Sequence, residues 1–218
     1  MNRAFPGQTA ESDVSASPTG SPWAEDWFVA SPSRQGPTTP HPWANPLPDL
    51  RPLLESYRDR IIVAIDWPAI ISATEFTRSG RHRDLVELDR RHPVEHGDPG
   101  TEASVRVGRR QLARLRACRD LRGVQRYLDA VEEGRAQGWN PIVFGVALAA
   151  FNVPHLQGLL HYARTLLRGR ARPCKPSDLS ETRWAEWMDS LERPLPGAAQ
   201  ALLLPAFPPL REPGQTRS

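Results

Sequence analysis

The chain has 218 residues, of which 39% are hydrophobic, 23 are proline and 15 are glycine. This composition supports one modest core with flanking segments and excludes two full domains. The formal net charge is only +3, but 27 of the 28 basic residues are arginine and Lys175 is the single lysine. Guanidinium groups suit phosphate and carboxylate partners, yet arginine also accumulates where coding composition favours it, so the charge alone identifies no partner.

The cysteines and the apolar runs indicate a cytoplasmic protein without membrane contact. Cys118 and Cys174 form neither a ligand pair nor a disulfide framework, which fits a reducing compartment. The longest apolar run, residues 142–151, is far shorter than the roughly 20 residues that cross a bilayer. The first 15 residues lack the apolar stretch of a secretory signal.

The N-terminal segment, residues 1–48, is rich in Ser, Pro, Gly and Thr. Such a composition buries too little apolar surface to offset the entropy of an ordered chain, so we predict that this segment is disordered. Four aromatic residues interrupt it and serve either as short anchors or as part of a tail without contacts: Trp23, Trp27, Phe28 and Trp43.

A helical period begins at Asp49 and continues to residue 172. The first stripe of apolar residues at three- and four-residue steps comprises Leu50, Leu53, Leu54, Tyr57, Ile61 and Ile65. Pro68 opens a second helix that Gly80 ends, and a third short helix precedes the turn residues 97–100. We predict a fourth helix over residues 101–117, with Thr101 as its N-cap.

The second half of this segment contains the most apolar helix. Residues 138–151 are apolar nearly all round, which indicates a helix buried at the centre of a bundle. Another helix precedes it around Val124 to Val131, and Pro154 opens the helix that follows. No sustained alternation of apolar and polar residues occurs, so we predict an all-α domain, a single helical bundle over residues 49–172.

Residues 173–218 contain eight prolines and are predicted to form a C-terminal tail with one short amphipathic helix. The stripe of that helix, Trp184, Trp187, Met188 and Leu191, is either an anchor for a partner or a face that packs on the bundle. Beyond Pro194 we expect disorder.

The sequence lacks the motifs of an enzyme, so we predict a binding module without catalytic, cofactor or metal residues. It contains no G-x-S-x-G, no H-E-x-x-H and no phosphate loop with G-K-[ST]. The best cluster of metal ligands is Asp89, His92 and His96, but Pro93 and Gly97 break the helix that would align the rings. His155 and His161 are interpreted as residues at the edge of the core or facing a partner.

Three blocks taken in order resemble the UreF family of urease accessory proteins. The first is DWPAIISATEFTRSGRHRDLVELDRR at 66–91, and the second is TEASVRVGRRQLARL at 101–115, which contains Gly108 and Arg109. The third resembles the family signature G-x-x-P-V-V-F-G-x-A-A-A-A-L-G-V-P. Its main matching residues are Gly138, Pro141, Phe144, Gly145 and Pro154.

This resemblance implies an all-α adaptor that dimerises, binds the accessory protein UreD (UreH in some bacteria) and recruits the GTPase UreG. The complex delivers nickel into apo-urease, so GTP belongs to the partner and no cofactor is expected on this chain. The ends depart from the family: only Ala4, Phe5 and Pro6 of its N-terminal glycine-rich motif are present, and residues 168–187 replace its C-terminal segment. Both ends also have the composition of out-of-frame coding sequence.

The matching glycines and prolines have structural explanations as well. Gly138 suits a helix terminus, Pro141 an N1 position, and Gly145 a close helix crossing. Exposed arginine and tyrosine are favoured at interfaces, so we predict partner contact around Arg109, Arg110, Tyr162 and Arg164.

Two other functions remain open. An arginine-rich helix could bind nucleic acid through Arg106, Arg109, Arg110, Arg114, Arg116 and Arg119. The 25 acidic residues and the lack of a recognised DNA-binding motif disfavour that reading. The chain could also be a relic of the family that folds in its middle and does not assemble.

Overall fold

A computed structural model describes residues 46–92 and 99–204 of the chain. Within these two stretches every regular element is helical and no strand occurs, so the predicted all-α class is confirmed. The α-helices are α1 (Pro46–Tyr57), α2 (Trp67–Arg78), α3 (His82–Arg91), α4 (Pro99–Leu115), α5 (Arg122–Glu132), α6 (Asn140–Ala150), α7 (His155–Ala171), α8 (Glu181–Glu192) and α9 (Leu195–Leu203).

A π-helical segment, Arg58–Asp66, joins α1 to α2. Leu50 and Leu54 are buried as predicted, but Leu53 is 55% exposed and Ile61 and Ile65 are only half-buried, whereas Ile62 and Asp66 are buried. In a π-helix the hydrogen bonds run from i to i+5, so each turn takes up more residues than an α-turn and the stripe rotates. The prediction of a constant α-helical period was wrong over this segment, and the predicted place of Leu53 in the buried stripe was wrong as well.

Helix α6 lies at the centre of the bundle, as predicted. All of its residues from Asn140 to Leu148 are buried. It packs against α2 on one side and α4 on another. Pro141 lies in its first turn, where the missing N–H costs no intrahelical bond. Helix α4 begins at Pro99, which places Thr101 inside the helix instead of at the predicted N-cap.

Helices α7, α3 and α5 complete the body of the bundle. Pro154 is the N-cap residue of α7, and Leu159, Ala163 and Leu167 of that helix are buried. Helix α3 packs on α2 and α5. The apolar sides of α3, α5 and α7 therefore pack into the bundle, as the sequence predicts.

Between residues 173 and 204 the structure contains two α-helices, not the one that we predicted. Beyond Pro194, where we expected disorder, α9 packs on α7 and buries Leu195 and Ala199 completely. Pro194 is the N-cap residue and Pro196 lies in the first turn, so neither proline interrupts the helix that follows. Apolar residues at helical spacing that fill a core are not expected from out-of-frame sequence.

Three further predictions concern residues outside 46–92 and 99–204: the N-terminal aromatic residues Trp23, Trp27, Phe28 and Trp43, the ligand candidate His96, and the tail after Leu204. Among the helices that the structure describes, none combines the length and the apolar composition that crossing a membrane requires.

Candidate functional site

The four residues predicted to contact a partner do not form one surface. Tyr162 is only 4% exposed, so its predicted place on the surface was wrong. The Arg109 Nε donates to the Gln137 carbonyl oxygen at 2.9 Å, and the Arg164 Nε lies 3.3 Å from the carboxylate of buried Glu192. Arg110 is exposed on α4. Partner contact through the three arginines remains a prediction.

The most strongly bound buried group is the carboxylate of Asp89, near the end of α3. It accepts hydrogen bonds from the Tyr127 hydroxyl at 2.6 Å and from the backbone N–H groups of Gln137, Gly138 and Trp139. A buried carboxylate with four donors is stable without a counter-ion. Asp89 therefore fixes the loop that leads into α6, and burial beside it raises the pKa of Tyr127 well above its ordinary value.

The same loop presses against α4 at Gly108. A Cβ atom at Gly108 would overlap the Gly138 carbonyl oxygen and lie 2.8 Å from the Asn140 nitrogen. Gly138 itself has φ +78°, a conformation that side chains disfavour. These two family-motif glycines thus permit the contact between α4 and the start of α6. Gly138 lies directly before the N-cap of α6, in line with the predicted helix terminus, and the contact at Gly108 was not predicted.

Gly145 marks the closest approach of α6 to α2. A Cβ atom there would lie 2.5 Å from the Ile70 carbonyl oxygen and 2.7 Å from the Ala73 Cβ. The buried Thr74 hydroxyl lies 2.8 Å from the Ile70 carbonyl oxygen and 3.1 Å from that of Gly145, and it bridges the two helices. The predicted close crossing at Gly145 is confirmed.

A second buried polar cluster joins the π-helical segment to α7. The Tyr162 hydroxyl donates to Asp66 at 3.0 Å, and the Phe144 ring meets the Tyr162 ring edge-on at a centroid distance of 5.0 Å. Burial raises the pKa of Asp66 to about 7, and the hydrogen bond from Tyr162 opposes that rise. Burial also raises the pKa of Tyr162 well above its ordinary value. Asp66 is thus a buried acid that titrates near neutrality.

His92 lies beside this cluster. Its Nε2 is 3.9 Å from the Asp66 carboxylate, and its ring is 5.7 Å from the Trp139 ring. Burial lowers the pKa of His92, and the nearby Asp89 opposes that shift. Asp89 and His92, two of the three residues considered as metal ligands and rejected, thus have structural contacts. No group of three ligating side chains occurs among the described residues.

A buried carboxylate, Glu192, attaches α8 to α7. Buried Glu192 of α8 accepts from Arg168 Nε at 2.7 Å and from its second amino group at 3.0 Å. Arg58 donates to the Leu191 carbonyl oxygen at 2.9 Å. Met188 and Leu191 are buried, while Trp184 and Trp187 are half-buried and stacked at 5.1 Å. All four residues of the predicted amphipathic stripe therefore pack on the bundle, and the two tryptophans stay partly exposed.

Sequence reasoning missed Asp66 and considered Asp89 only as a metal ligand. Asp89 follows buried Leu85 by four residues, so the helical period places it on the buried side of α3, and a charged residue in an apolar stripe was the signal available there. Asp66 lies outside the predicted stripe, which continued through Ile61 and Ile65, and the π-helical turn brings it into the core. The donors on Tyr127, Tyr162 and the 137–139 loop come from distant parts of the chain, so the sequence alone did not reveal them.

Comparison with known proteins gives one match. A family model of UreF matches residues 48–171, which is more than half of the chain. No curated protein matches the chain, and no solved structure does. The match begins inside α1, ends with the last residue of α7 and leaves out α8 and α9.

Proposed function

The chain belongs to the UreF family of urease accessory proteins, and we propose that it is a non-catalytic adaptor in GTP-dependent insertion of nickel into apo-urease. In this proposal it works in the cytoplasm in a complex with UreD and UreG and dimerises there. GTP is bound by UreG, and nickel is handled by the complex.

The proposal rests on the positions that the family-motif residues occupy in the fold. Gly108, Gly138 and Gly145 all lie where a backbone approaches too closely for a side chain or adopts a positive φ. Asp89, in the first matching block, binds the loop before α6. The motif therefore builds a rigid helical body, which suits a protein that acts by holding partners in place.

The buried titratable groups support an adaptor in the same way. Asp89 has four donors within the fold, and Asp66 contacts Tyr162 and His92. A catalytic acid or base has to reach a substrate within hydrogen-bond distance. The side chains of Asp89 and Asp66 instead bind other helices and the loop before α6.

The test is co-purification of the full chain with UreD and UreG, with and without GTP, at two salt concentrations. We expect a stable complex with the wild type and with Gly197→Ala, because a Cβ at Gly197 meets nothing within 4 Å. We expect no complex with Gly145→Leu, which separates α2 from α6. A folded wild-type chain that captures neither partner would contradict the adaptor function. That result would favour the alternative that the chain is a relic of the family that folds and does not assemble.

A further inference from the structure

A small polar pocket lies where α4, α6 and α7 meet. The residues that line it are Gln111 of α4, Asn140 and Phe144 of α6, and Tyr162, Thr165 and Leu166 of α7. It has room for about one water molecule. Because amide and hydroxyl groups lie beside the aromatic and aliphatic side chains, the pocket suits a small molecule that forms hydrogen bonds.

Two side chains in the wall of the pocket carry a carbonyl oxygen without a hydrogen-bond donor. Gln111 is 6% exposed and Asn140 is 8% exposed, so both are deeply buried. Among the residues that the structure describes, none donates to Gln111 Oε1 or to Asn140 Oδ1, and both atoms are shielded from bulk solvent. Native proteins pair nearly all buried acceptors with a protein donor or with ordered water, because an unpaired acceptor destabilises the fold.

The other buried polar side chains differ from these two in having partners. The Thr74 hydroxyl and three buried carboxylates form hydrogen bonds within the fold, and those carboxylates belong to Asp66, Asp89 and Glu192. The His155 Nε2 lies 3.6 Å from the Glu75 carboxylate. In the pocket, by contrast, unpaired acceptors coincide with room for a donor.

The Asn140 carboxamide cannot pair its oxygen with the Tyr162 hydroxyl. Burial raises the pKa of Tyr162, and the Asn140 side chain opposes that rise as a donor to the Tyr162 oxygen. The same hydroxyl donates its own proton to Asp66 at 3.0 Å. Rotation of the carboxamide would therefore place its oxygen against a hydroxyl whose proton is already used. The donor for Asn140 Oδ1 has to come from another group.

We propose that one buried water molecule occupies the pocket and donates one hydrogen bond to Gln111 Oε1 and one to Asn140 Oδ1. Water has two O–H groups for these two acceptors, and the Thr165 hydroxyl can donate to the water oxygen. A divalent cation takes about six oxygen ligands or more, which exceeds what these side chains offer. The water links α4 to α6 one turn beyond Gly108, where α4 touches the loop before α6. This site is independent of the adaptor function.

The test is nuclear magnetic resonance of the full chain in three forms: the wild type, Gln111→Met and Gln200→Met. Methionine resembles glutamine in length and has no amide, so Gln111→Met removes one of the two acceptors. Gln200 is exposed on α9, which makes Gln200→Met the matched control. Cross-peaks between water and the side-chain amide hydrogens of Asn140 are measured in rotating-frame experiments, in which dipolar contact and hydrogen exchange give opposite signs.

We expect a dipolar cross-peak between water and the Asn140 amide in the wild type and in Gln200→Met, and its loss in Gln111→Met. A cross-peak relayed by the exchanging hydroxyl of Tyr162 would persist in Gln111→Met, because that variant retains Tyr162. Persistence of the peak would therefore overturn the proposal, and so would its absence from the wild type.

A crystal structure of the wild-type chain is the second measurement, and it decides the matter if circular dichroism shows that Gln111→Met is unfolded. We expect electron density for one water molecule within about 3 Å of both Gln111 Oε1 and Asn140 Oδ1. A metal ion or a protein side chain in that place would overturn the proposal. Neither measurement uses UreD or UreG, so the co-purification experiment tests the adaptor function separately.

Discussion

Asp89 and Glu192 are two buried carboxylates that the protein stabilises in different ways. Asp89, within the family-matched body, is bound by three backbone N–H groups and the buried Tyr127 hydroxyl. Glu192, in the C-terminal helices beyond the match, is bound by the arginine side chains Arg168 and Arg164, both about half exposed. Asp89 is bound by groups that are fixed inside the protein, whereas Glu192 is bound by flexible arginine side chains that lie partly in solvent.

The difference shows how strongly each carboxylate attaches its part of the fold, the family-matched body for Asp89 and the C-terminal helices for Glu192. Backbone donors cannot turn away, and without Asp89 they would stay buried without a partner, so their attachment is part of the core. Arginine side chains can return to water, and salt screens them. We therefore expect the body to tolerate fewer changes than the C-terminal helices.

The largest effect is expected from Asp89→Ala. The substitution leaves three backbone donors and a tyrosine hydroxyl without their acceptor in a buried loop, which costs about 4 kcal/mol of unfolding free energy. Urea unfolding followed by circular dichroism measures the loss. Glu192→Ala is the comparison, and an equal loss in both variants would refute the distinction between the two anchors.

Glycine to alanine changes extend the comparison to packing. Gly145→Ala forces α2 and α6 apart, because the new Cβ would lie 2.5 Å from the Ile70 carbonyl oxygen, and we expect a loss of about 3 kcal/mol. Gly197→Ala in α9 places its Cβ in open space and should stabilise by about 0.5 kcal/mol through helix propensity. The pair is measured by thermal and urea unfolding. Similar effects at both sites would mean that α2 and α6 pack less closely than described.

Asp66 adds a third buried carboxyl, with one hydroxyl donor, and makes stability depend on pH. Its pKa of about 7 in the folded protein lies above the ordinary value of 3.8, so the folded state binds the proton more tightly. The resulting stability is complete below about pH 4 and is lost as the pH rises through about 7.

Asp66→Asn removes this dependence. Relative to the wild type, the variant should gain about 2 kcal/mol of unfolding free energy between pH 5 and pH 8. Urea unfolding at a series of pH values measures the difference curve. The lowered pKa of His92 acts in the opposite direction, with stability lost as the pH falls. A flat difference curve would show that Asp66 stays ionised.

Among the buried carboxylates, the smallest effect is expected from Glu192→Gln. The amide retains one acceptor for Arg168 and loses the charge, which costs about 1 kcal/mol in low salt. In 1 M salt the difference from the wild type should shrink, since the arginines are exposed. Asp84→Asn, at an exposed pair with Arg81, is the control and should change stability by less than about 0.5 kcal/mol. A difference independent of salt would contradict the account of the C-terminal anchor.

The sequence predicted most of the helices because their signals are local. The apolar run of α6, the proline before α7 and the close approach at Gly145 depend on neighbouring residues or on a motif. The rotation of the apolar stripe at the π-helical segment Arg58–Asp66 was not predictable, since the stripe was traced with the α-helical period throughout. Helix α9 was missed because composition counts prolines without regard to position, and Pro196 is harmless in a first turn.

The candidate site was less predictable than the fold. Interface preferences of residue types favoured an exposed Tyr162, but the partner that buries it, Asp66, lies 96 residues away in the sequence. Arg109 is exposed as predicted, but its guanidinium also donates to a backbone carbonyl 28 residues further on, a contact that residue type does not reveal. Residue type indicates what a group can bind, and only the fold decides which group is within reach.

The contact between Thr74 and Gly145 also has a consequence for biosynthesis. The two residues are 71 positions apart, so α2 waits for its main packing partner until α6 has been synthesised. Contacts between distant residues delay folding, because a long loop has to close first. We expect α2 to be open to chaperones while residues 79–139 are made, and α8 and α9 to be the last helices to join a bundle that already has its core.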